Sequence, residues 1–499
     1  MFETAELHRT IGKKAFKVQE QALRTKLLEA QRALHEAGVA VVIVISGVEG
    51  AGKGMLVNQL TTWLDPRGTS VHVFWDRTDE ERERPTWWRF WRALPARGTI
   101  GVLFGSWYTE PIVSEVMGPS HPREFEHALL QIRAFESTQA DDGTLFMKVW
   151  LHLSKEAQQE RWREDTARGR PWKNSPLTEE YGQHYDLFLA ASERAIRMTD
   201  TVQAPWYIVE ATDPRWRDLT VGRTLLRAME SRLKQPTEPS LAATAATLDP
   251  PTEPVTVLDR VDLSKLLPKA EYNAQLAHWQ QELNRLTWCA YEAKRSTVVV
   301  FEGWDASGKG GAIRRAVQAV DARLRQVIPI AAPTDEEMAH HYLWRFWRHI
   351  PRDGRFTAYD RSWYGRVLVE RVEGFASEHE WLRSYHEINA FEDELLDHGT
   401  ILCKFWIHID QDEQLRRFEE RKNTPWKQHK ITDEDWRNRE RWTDYAAAVN
   451  DMVQHTSTVS APWSLVPGND KRFARVWVIR TLCERLASEL GETLSSPPQ

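Results

Sequence analysis

Short apolar runs and longer segments with helical periodicity alternate along this chain of 499 residues. Residues 39–45 and 297–301 consist of β-branched and other apolar side chains, which is typical of a buried strand. Before the second run, residues 270–294 carry apolar side chains at the spacing of an amphipathic helix. Strands that alternate with helices predict the α/β class, with a mostly parallel sheet covered by helices on both faces.

Each apolar run leads into the same glycine-rich loop. The pattern Gly-x-x-x-x-Gly-Lys occupies residues 47–53 and residues 303–309. Between a strand and a helix, such a P-loop binds phosphate, because its backbone N–H groups form an anion cradle and its lysine bridges phosphoryl oxygens. A glycine-rich turn that exposes a lysine is the alternative. In the second loop, the predicted phosphate-binding residues are Gly303, Ser307, Gly308, Lys309 and Gly310.

The two loops belong to a longer repeat. They lie 256 residues apart, and at the same offset residues 344–351 match residues 88–95 at six of eight positions. The chain is therefore predicted to be a tandem duplication. A segment rich in Pro, Thr and Ala predicts a linker at residues 234–257, between domains at residues 1–233 and 258–494. Each half is long enough to form its own core.

The two copies diverge at the end of a later predicted strand. Asp360 and Arg361 in the second copy stand where the first copy has Phe104 and Gly105. Ligands of α/β sheets bind at the carboxyl ends of strands, where both Asp360 and the P-loop are predicted to lie. Catalysis that needs this aspartate is therefore expected in the second copy alone. A helix N-cap or an ion pair with Arg361 is the alternative role of Asp360.

Oxygen ligands for a metal are predicted beside the second loop. The residue after Lys309 is Gly310, so the hydroxyl group that commonly helps a P-loop to hold magnesium is missing. Two converging carboxylates suit a complex of magnesium with phosphate. Asp305 and Asp360 are therefore the predicted ligands of Mg²⁺.

Arginines extend the predicted phosphate site. Arg361 and Arg366 carry planar guanidinium groups, which suit bidentate contact with phosphate, and solvated surface charges are the alternative. Farther along, a predicted helix places Glu413, Arg417 and Arg421 in one i, i+4 row. This row forms either a helix ion pair worth about a few tenths of a kcal/mol, or a mobile lid that brings arginines onto the phosphates. The residues alone leave both readings open.

Composition narrows the class of protein. The net charge of −6 disfavours a surface built for nucleic acid, so an acidic substrate needs a local basic patch. Residues 344–371 hold seven arginines against three acids, whereas residues 88–115 hold three against two. Three cysteines without Cys-x-x-Cys spacing argue against a disulfide framework or a zinc site. A cytoplasmic protein without a membrane segment is expected, because the longest apolar run falls far short of about 20 residues and no signal-peptide pattern occurs.

Several motifs of the second copy together resemble the polyphosphate kinase 2 family. The motifs lie at residues 301–311, 333–337, 360–364, 404–408, 413–414 and 461–463, and their span covers nearly all of residues 258–490. The resemblance implies a three-layer α/β/α fold similar to that of thymidylate kinase. It also implies dependence on magnesium and transfer of a terminal phosphoryl group from inorganic polyphosphate to a nucleotide.

The resemblance also implies roles for individual residues. Lys309 and the loop amides would hold phosphate, Asp305 and Asp360 would orient magnesium and the acceptor phosphate, and Arg361 would neutralise the transferred group. The basic lid of the family maps to Arg416, Arg417, Arg421 and Lys427. Most tryptophans are expected in the core or at interfaces, although Trp304 and Trp426 are candidates for stacking on a base.

Within the family, a two-copy chain of this length resembles the members that use AMP as the acceptor, so the resemblance implies that polyphosphate and AMP give ADP and shortened polyphosphate. ADP as the acceptor, giving ATP, is the closest alternative, and a nucleotide-sensing scaffold with vestigial P-loops is the alternative from another class. The sequence also leaves open whether the protein forms a homo-oligomer. The first copy keeps Lys53 and residues 171–173 but departs at Phe104 and Gly105. It is therefore expected to provide packing or a polyphosphate docking surface rather than catalysis.

Overall fold

The computed structural model describes residues 1–118, 122–167, 182–234 and 256–495. The predicted linker at residues 234–257 lies almost entirely outside these ranges, and residues 171–173 lie outside them as well. The described residues of Met1–Arg77, Arg89–Ser240 and Thr334–His341 form one compact unit. Those of Thr78–Trp88, Leu241–Pro333 and Tyr342–Gln499 form the other.

Five parallel strands form the sheet of the first unit. In chain order they are β1 (Val41–Gly47), β2 (Thr69–Val73), β3 (Ile100–Phe104), β4 (Leu145–His152) and β5 (Trp206–Glu210). Their order across the sheet is β2-β3-β1-β4-β5. At the centre, Val44 pairs with Leu103 on one side and Lys148 on the other.

The sheet of the second unit repeats this topology. Its strands are β6 (Thr297–Gly303), β7 (Arg325–Pro329), β8 (Phe356–Asp360), β9 (Ile401–His408) and β10 (Trp463–Pro467), in the order β7-β8-β6-β9-β10. Val300 pairs with Tyr359 and Lys404, each 256 positions after its counterpart in the first sheet. Topology and register therefore repeat with the sequence, which confirms the prediction of a tandem parallel α/β fold.

Helices connect the strands in both copies. Those of the first copy are α1 (Lys13–Glu36), α2 (Lys53–Trp63), α3 (Asp79–Arg82), α4 (Trp88–Arg92), α5 (Thr109–Met117), α6 (Pro122–Asp141), α7 (Lys155–Ala167), α8 (Tyr185–Thr199) and α9 (Pro214–Lys234). Those of the second are α10 (Lys269–Glu292), α11 (Lys309–Ala319), α12 (Asp335–Met338), α13 (Trp344–Trp347), α14 (Val369–Val372), α15 (Glu378–Asp397), α16 (Gln411–Lys422), α17 (Asp433–Glu440), α18 (Trp442–Thr456) and α19 (Lys471–Leu490). Short 3-10 helices lie at Phe2–Ala5, Pro66–Gly68, Val257–Arg260, Trp363–Val367 and Pro425–Lys430. In the described part of the chain, no helix is long and apolar enough to cross a membrane.

Side chains of β9 alternate between two layers of helices. Cys403, Phe405 and Ile407 pack into a core with apolar residues of α10, α11 and α19. Between them, Lys404 points to the opposite face and contacts Glu392 of α15. Successive residues of a strand face opposite sides of its sheet. Helices therefore cover both faces, as the three-layer expectation requires.

A buried polar frame joins the segment after β8 to α15 and β9. Trp363 Nε1 and Tyr364 Oη donate to Glu392 Oε1 at 3.0 and 2.6 Å, and Lys404 Nζ donates to Glu392 Oε2 at 2.7 Å. The first copy reproduces every one of these bonds with Trp107, Tyr108, Glu136 and Lys148. Breaking a buried ion pair by removing one partner is strongly destabilising. The frame therefore maintains the fold in both copies.

Candidate active site

The second P-loop has a backbone that only its glycines accommodate. Gly303 ends β6 with φ of 149°, and a Cβ atom on it would lie 2.5 Å from the carbonyl oxygen of Ile407. Gly308 caps α11 with φ of 110°. The helix then begins at Lys309, and the N–H groups of a first helical turn have no acceptor within their own helix. The loop is therefore built as an anion cradle, and the binding of phosphate there stays a prediction.

Two polar side chains of this loop, those of Lys309 and Ser307, have no partner side chain among the described residues. Lys309 Nζ donates to the carbonyl oxygens of Gly303 and Trp304 at 2.6 and 3.3 Å. Ser307 Oγ is buried and has no hydrogen-bond partner among the described residues. A buried hydroxyl without a partner is costly unless a ligand or water completes its bonding. The first copy has Ala51 at that position.

Asp360 and Arg361 lie beside this loop because β8 pairs with β6. Asp360 is opposite Phe301, and Arg361 N donates to the carbonyl oxygen of Phe301 at 3.1 Å. Asp360 is the last residue of its strand rather than a helix N-cap. Arg361 Nη2 lies 3.4 Å from Asp305 Oδ1 and its Nη1 lies 4.0 Å from Glu434 Oε1. In the described part of the chain Arg361 thus pairs with these two carboxylates, and neither alternative role of Asp360 is observed.

The backbone of Arg361 is itself unusual. Its φ is 65°, in the left-handed region, which costs an ordinary residue roughly 1–2 kcal/mol relative to the right-handed one. Gly105 has φ of 73° at the equivalent place, where glycine removes that cost. Strained backbone of this kind concentrates at functional sites.

Glu302 completes the site, and the sequence motifs did not single it out. Its carboxylate is buried and Oε1 accepts a 2.8 Å hydrogen bond from Ser362 Oγ. Burial raises the pKa of Glu302 to about 7. The charge of Asp360 also raises this pKa, whereas the charges of Lys309 and Arg361 lower it. The first copy has Ser46 at this position. Comparison of the two copies at the constant offset was the signal that could have found it.

An open pocket joins these groups. It spans roughly 600 Å³ of non-protein space, counting its open mouth. Its lining combines the P-loop with the ends of β8, β9 and α17: Glu302, Gly303, Trp304, Asp305, Lys309, Arg361, Gly365, Leu368, Val369, Trp406, Gln414, Glu434, Asn438 and Tyr445.

The two tryptophan candidates have different surroundings. Trp304 stacks on Trp442 with ring centroids 3.6 Å apart, and its Nε1 donates to His408 Nδ1 at 3.0 Å. It is only 6% exposed, so it anchors the loop and offers little ring surface to a base. Trp426, in contrast, is 75% exposed.

The structure corrects the expectation that Arg417 binds phosphate. Its Nε donates to Glu413, its Nη1 to the carbonyl oxygens of Ala306 and Ser307, and its Nη2 to those of Gly468 and Asn469. These bonds use all five N–H groups of a guanidinium. The ion pair with Glu413 is present, but most bonds of Arg417 go to main-chain carbonyl groups, two of them in the P-loop.

The other predicted phosphate ligands have protein partners of their own. Arg366 Nη1 and Nη2 donate to Glu370 and Glu380 at 2.8 and 3.2 Å, and it does not line the pocket. Arg416 pairs with Glu413 at 2.6 Å, and Lys427 pairs with Glu420 at 2.7 Å. Arg421 lies one turn after Arg417 on α16 and is partly buried.

The first copy has a similar loop with different electrostatics. Lys53 Nζ donates to Glu49 Oε2 at 3.0 Å, so a carboxylate of the loop neutralises the loop lysine. Arg161 donates to the carbonyl oxygens of Gly50, Ala211 and Thr212, as Arg417 does in the second copy. The loop of the first copy is thus supported in the same way but is already charge-paired.

Comparison with protein families gives two matches within the chain. The family model described as polyphosphate kinase 2 matches residues 10–237 and again residues 266–493. Together the matches cover most of the chain and place one copy of the family domain in each half.

Relatives of known name match over nearly the full length. A polyphosphate:AMP phosphotransferase of Pseudomonas aeruginosa is 47% identical over 484 residues, which cover 97% of this chain and 98% of that protein. Another of the same name, from Acinetobacter johnsonii, is 37% identical and covers 94% of this chain and 97% of its own. A GDP-polyphosphate phosphotransferase of Mycobacterium tuberculosis is 38% identical but covers only 42% of this chain and 70% of its own.

A solved structure has the same architecture throughout. The crystal structure of a polyphosphate kinase 2 from Pseudomonas aeruginosa is 46% identical, with a TM-score of 0.88 over 99% of this chain and 100% of that one. Fold, sequence motifs and full-length relatives therefore agree. The chain belongs to the polyphosphate kinase 2 family and contains two copies of the family domain in tandem.

Proposed function

We propose that this protein transfers the terminal phosphoryl group of inorganic polyphosphate to AMP, giving ADP and shortened polyphosphate, and that the pocket of the second copy is the active site. The observation that carries the proposal is the pocket that joins Glu302, Lys309 and Arg361 beside the strand-end Asp360, in a chain whose full-length relatives bear the name polyphosphate:AMP phosphotransferase. Relatives named for ADP match less than half of this chain, so AMP is the favoured acceptor.

The oxygen donors of the pocket suit Mg²⁺. Asp305 lines the pocket and Asp360 ends the neighbouring strand, and magnesium is commonly held by one or two carboxylates together with substrate phosphates and water. Among the described residues, no group of three or more His, Cys, Asp or Glu side chains could hold a metal ion by itself. The fit is therefore to a metal shared with the phosphates. When bound, Mg²⁺ would neutralise charge on the phosphoryl oxygens.

Positioning and charge neutralisation account for the reaction. An oxygen of the AMP phosphate attacks the terminal phosphorus of polyphosphate, and the bond to the penultimate phosphate breaks, leaving its oxygen on the shortened chain. The nucleophile is already an anion, so little deprotonation is needed. Lys309 and Arg361 neutralise the transferring group in place, which is the main catalytic contribution in phosphoryl transfer.

Two arginines of α16 favour one direction of approach for polyphosphate. On α16, Arg416 and Arg421 stand where α7 of the first copy has Glu160 and Asp165. Lys471 at the start of α19 lies 3.5 Å from Glu420, the partner of Lys427. We infer that these cations attract the donor chain and that the first copy does not provide an equivalent docking surface. A cytoplasmic location, where AMP is available, stays a prediction.

The proposal is tested by following nucleotide products chromatographically with polyphosphate and AMP, ADP or GMP. We expect ADP from AMP, and a loss of at least about a thousandfold in turnover for Lys309→Ala and Asp360→Asn. Lys53→Ala is the matched control in the first copy and should keep near-normal turnover. Normal activity of Asp360→Asn would contradict the assigned site, and product formed from ADP alone would contradict the acceptor.

A further inference from the structure

The carboxylate of Asp305 is held by more than the P-loop. Asn438 Nδ2 of α17 donates to Asp305 Oδ2 at 2.8 Å, whereas Oδ1 faces Arg361 at 3.4 Å. Gln414 Nε2 also donates to the main-chain oxygen of Asp305 at 3.2 Å. One oxygen of the carboxylate is thus fixed to α17 while the other faces the pocket.

Asn438 is in turn oriented by a tyrosine. Tyr445 Oη donates to Asn438 Oδ1 at 3.2 Å. A carboxylate accepts only, so the amide nitrogen must face Asp305 and the amide oxygen must face the hydroxyl group. Burial, followed by the charges of Glu373, Asp305 and Glu434, raises the pKa of Tyr445 above its usual value, so the hydroxyl group stays a donor. The three side chains form one directed relay.

The first copy shows a loop carboxylate in the opposite arrangement. Helices α8 and α18 align at an offset of 257, which places Phe188 at the position of Tyr445 and removes the hydroxyl group. There the loop acid Glu49 bonds to the loop lysine Lys53 at 3.0 Å. The copy that lacks the relay hydroxyl group is therefore also the copy in which the loop carboxylate pairs with the loop lysine.

We propose that Asn438 and Tyr445 are positioning residues, which hold Asp305 toward the reacting phosphates and keep it from pairing with Lys309. The proposal rests on the proposed function of this pocket and adds two residues that the sequence motifs did not reveal. Because Asn438 acts through Asp305 and Tyr445 acts through Asn438, their effects on catalysis are not independent.

Folding of this region has other supports. Thr432 and Asp435 form a capping box at the start of α17, and Trp442 at the start of α18 stacks on Trp304. A tyrosine that loses its hydroxyl group also keeps its ring, as Phe188 does in the first copy. Tyr445→Phe and Asn438→Ala are therefore expected to fold with thermal midpoints close to that of the unchanged protein.

Steady-state kinetics of purified full-length variants test the relay. We expect Asn438→Ala to lower kcat by about 10- to 100-fold, in the range of outer-shell positioning residues, with little change in the KM for AMP. Tyr445→Phe should lower kcat by a smaller factor. The double variant should be no worse than Asn438→Ala alone, because residues that act in series are non-additive. Tyr385→Phe, which removes a buried hydroxyl group bonded to Arg371, is the matched control and should leave kcat unchanged.

The outcomes separate this inference from the proposed function. If the protein without substitutions forms no ADP from polyphosphate and AMP, the proposed function is rejected. An active protein whose Asn438→Ala variant keeps full kcat, or whose two single effects multiply in the double variant, would reject the relay. If the fall in kcat is accompanied by a large fall in the thermal midpoint, Asn438 and Tyr445 have a merely structural role and the relay is also rejected.

Discussion

The two P-loops of this chain share a backbone and differ in charge. Both begin at the end of a central strand and end with a glycine in a left-handed conformation before a helix. In the first, Glu49 pairs with Lys53, whereas in the second Lys309 contacts only carbonyl oxygens among the described residues. We therefore expect phosphoryl transfer to need, besides a loop of this shape, a lysine that is not held in an ion pair by a carboxylate of its own loop.

The duplication acts as an internal control for the role of each residue. Residues that maintain the fold are present in both copies, such as the buried pairs of Lys404 with Glu392 and Lys148 with Glu136. Glu302, Asp360 and Arg361 stand where the first copy has Ser46, Phe104 and Gly105, and Glu302 and Arg361 line the pocket. A residue retained by one copy at a cost in strain, as Arg361 is, is a strong candidate for function.

The largest effect is expected where the second copy is made to resemble the first at this strained position. Arg361→Gly should reduce turnover by about a thousandfold, because a guanidinium beside the transferring phosphate is removed. The free energy of unfolding should stay level or rise by up to about 1 kcal/mol, since glycine relieves the left-handed backbone. Product chromatography and urea unfolding measure the two quantities.

Gly105→Arg provides the reciprocal control for that substitution. A Cβ atom at Gly105 would lie 2.4 Å from the carbonyl oxygen of Phe74, so the variant should destabilise the first unit without restoring catalysis there. Retention of activity by Arg361→Gly would show that the two copies differ in function for another reason.

A smaller effect is expected from the arginines behind the loops. Arg417→Ala should lower activity roughly 10- to 100-fold, as outer-shell changes do, because the carbonyl groups of the second P-loop lose their support. Arg161→Ala removes the equivalent bonds in the first copy and should reduce stability while leaving turnover nearly unchanged. Equal losses of activity in both variants would contradict the assignment of catalysis to one copy.

Glu302 should make the second unit sensitive to pH. Its folded pKa of about 7 lies above the ordinary value of 4.5, so the folded state holds the proton more tightly than the unfolded state. The free energy of unfolding should therefore fall as the pH rises from 4.5 to about 7, by at most roughly 3 kcal/mol. Glu302→Gln should remove this fall. Urea unfolding at pH 5 and pH 8 measures the fall in both proteins. If Glu302→Gln shows the same difference between the two pH values as the protein without the substitution, the prediction is contradicted.

The smallest effect is expected from charge on the exposed helices. Arg416→Glu combined with Arg421→Asp gives α16 the charges that α7 carries at these two positions, and should raise the KM for polyphosphate several-fold, more at low salt than at high salt. Glu160→Arg combined with Asp165→Arg changes α7 in the reverse direction and should leave that KM unchanged. A larger effect from the α7 variant would assign polyphosphate docking to the first copy.

Much of the site was predictable because it lies on regular elements. Gly303 to Lys309 follow a buried strand, and Asp360 ends another, so the parallel sheet brings both to one edge. Arg417 was mispredicted because an i, i+4 row of charged residues is normally solvated, whereas here its five donors meet carbonyl groups from two distant loops. Arg366 pairs with Glu370 and with Glu380 of a separate helix, which its position in the sequence did not predict, and its binding of phosphate stays a prediction.

The sequence by itself determined the duplication and the parallel α/β fold, because these depend on periodicity and motif spacing. The identity of Asp360 and Arg361 also predicts the second copy as the one that catalyses. Only the tertiary structure decided which charges are available. Lys53 forms an ion pair with the loop carboxylate of Glu49 whereas Lys309 donates to main-chain carbonyl oxygens, and Asp305 is directed by Asn438 and Tyr445 of later helices. The physical reason is that hydrogen bonds between residues far apart in the chain depend on orientation and distance, which spacing along the sequence does not specify.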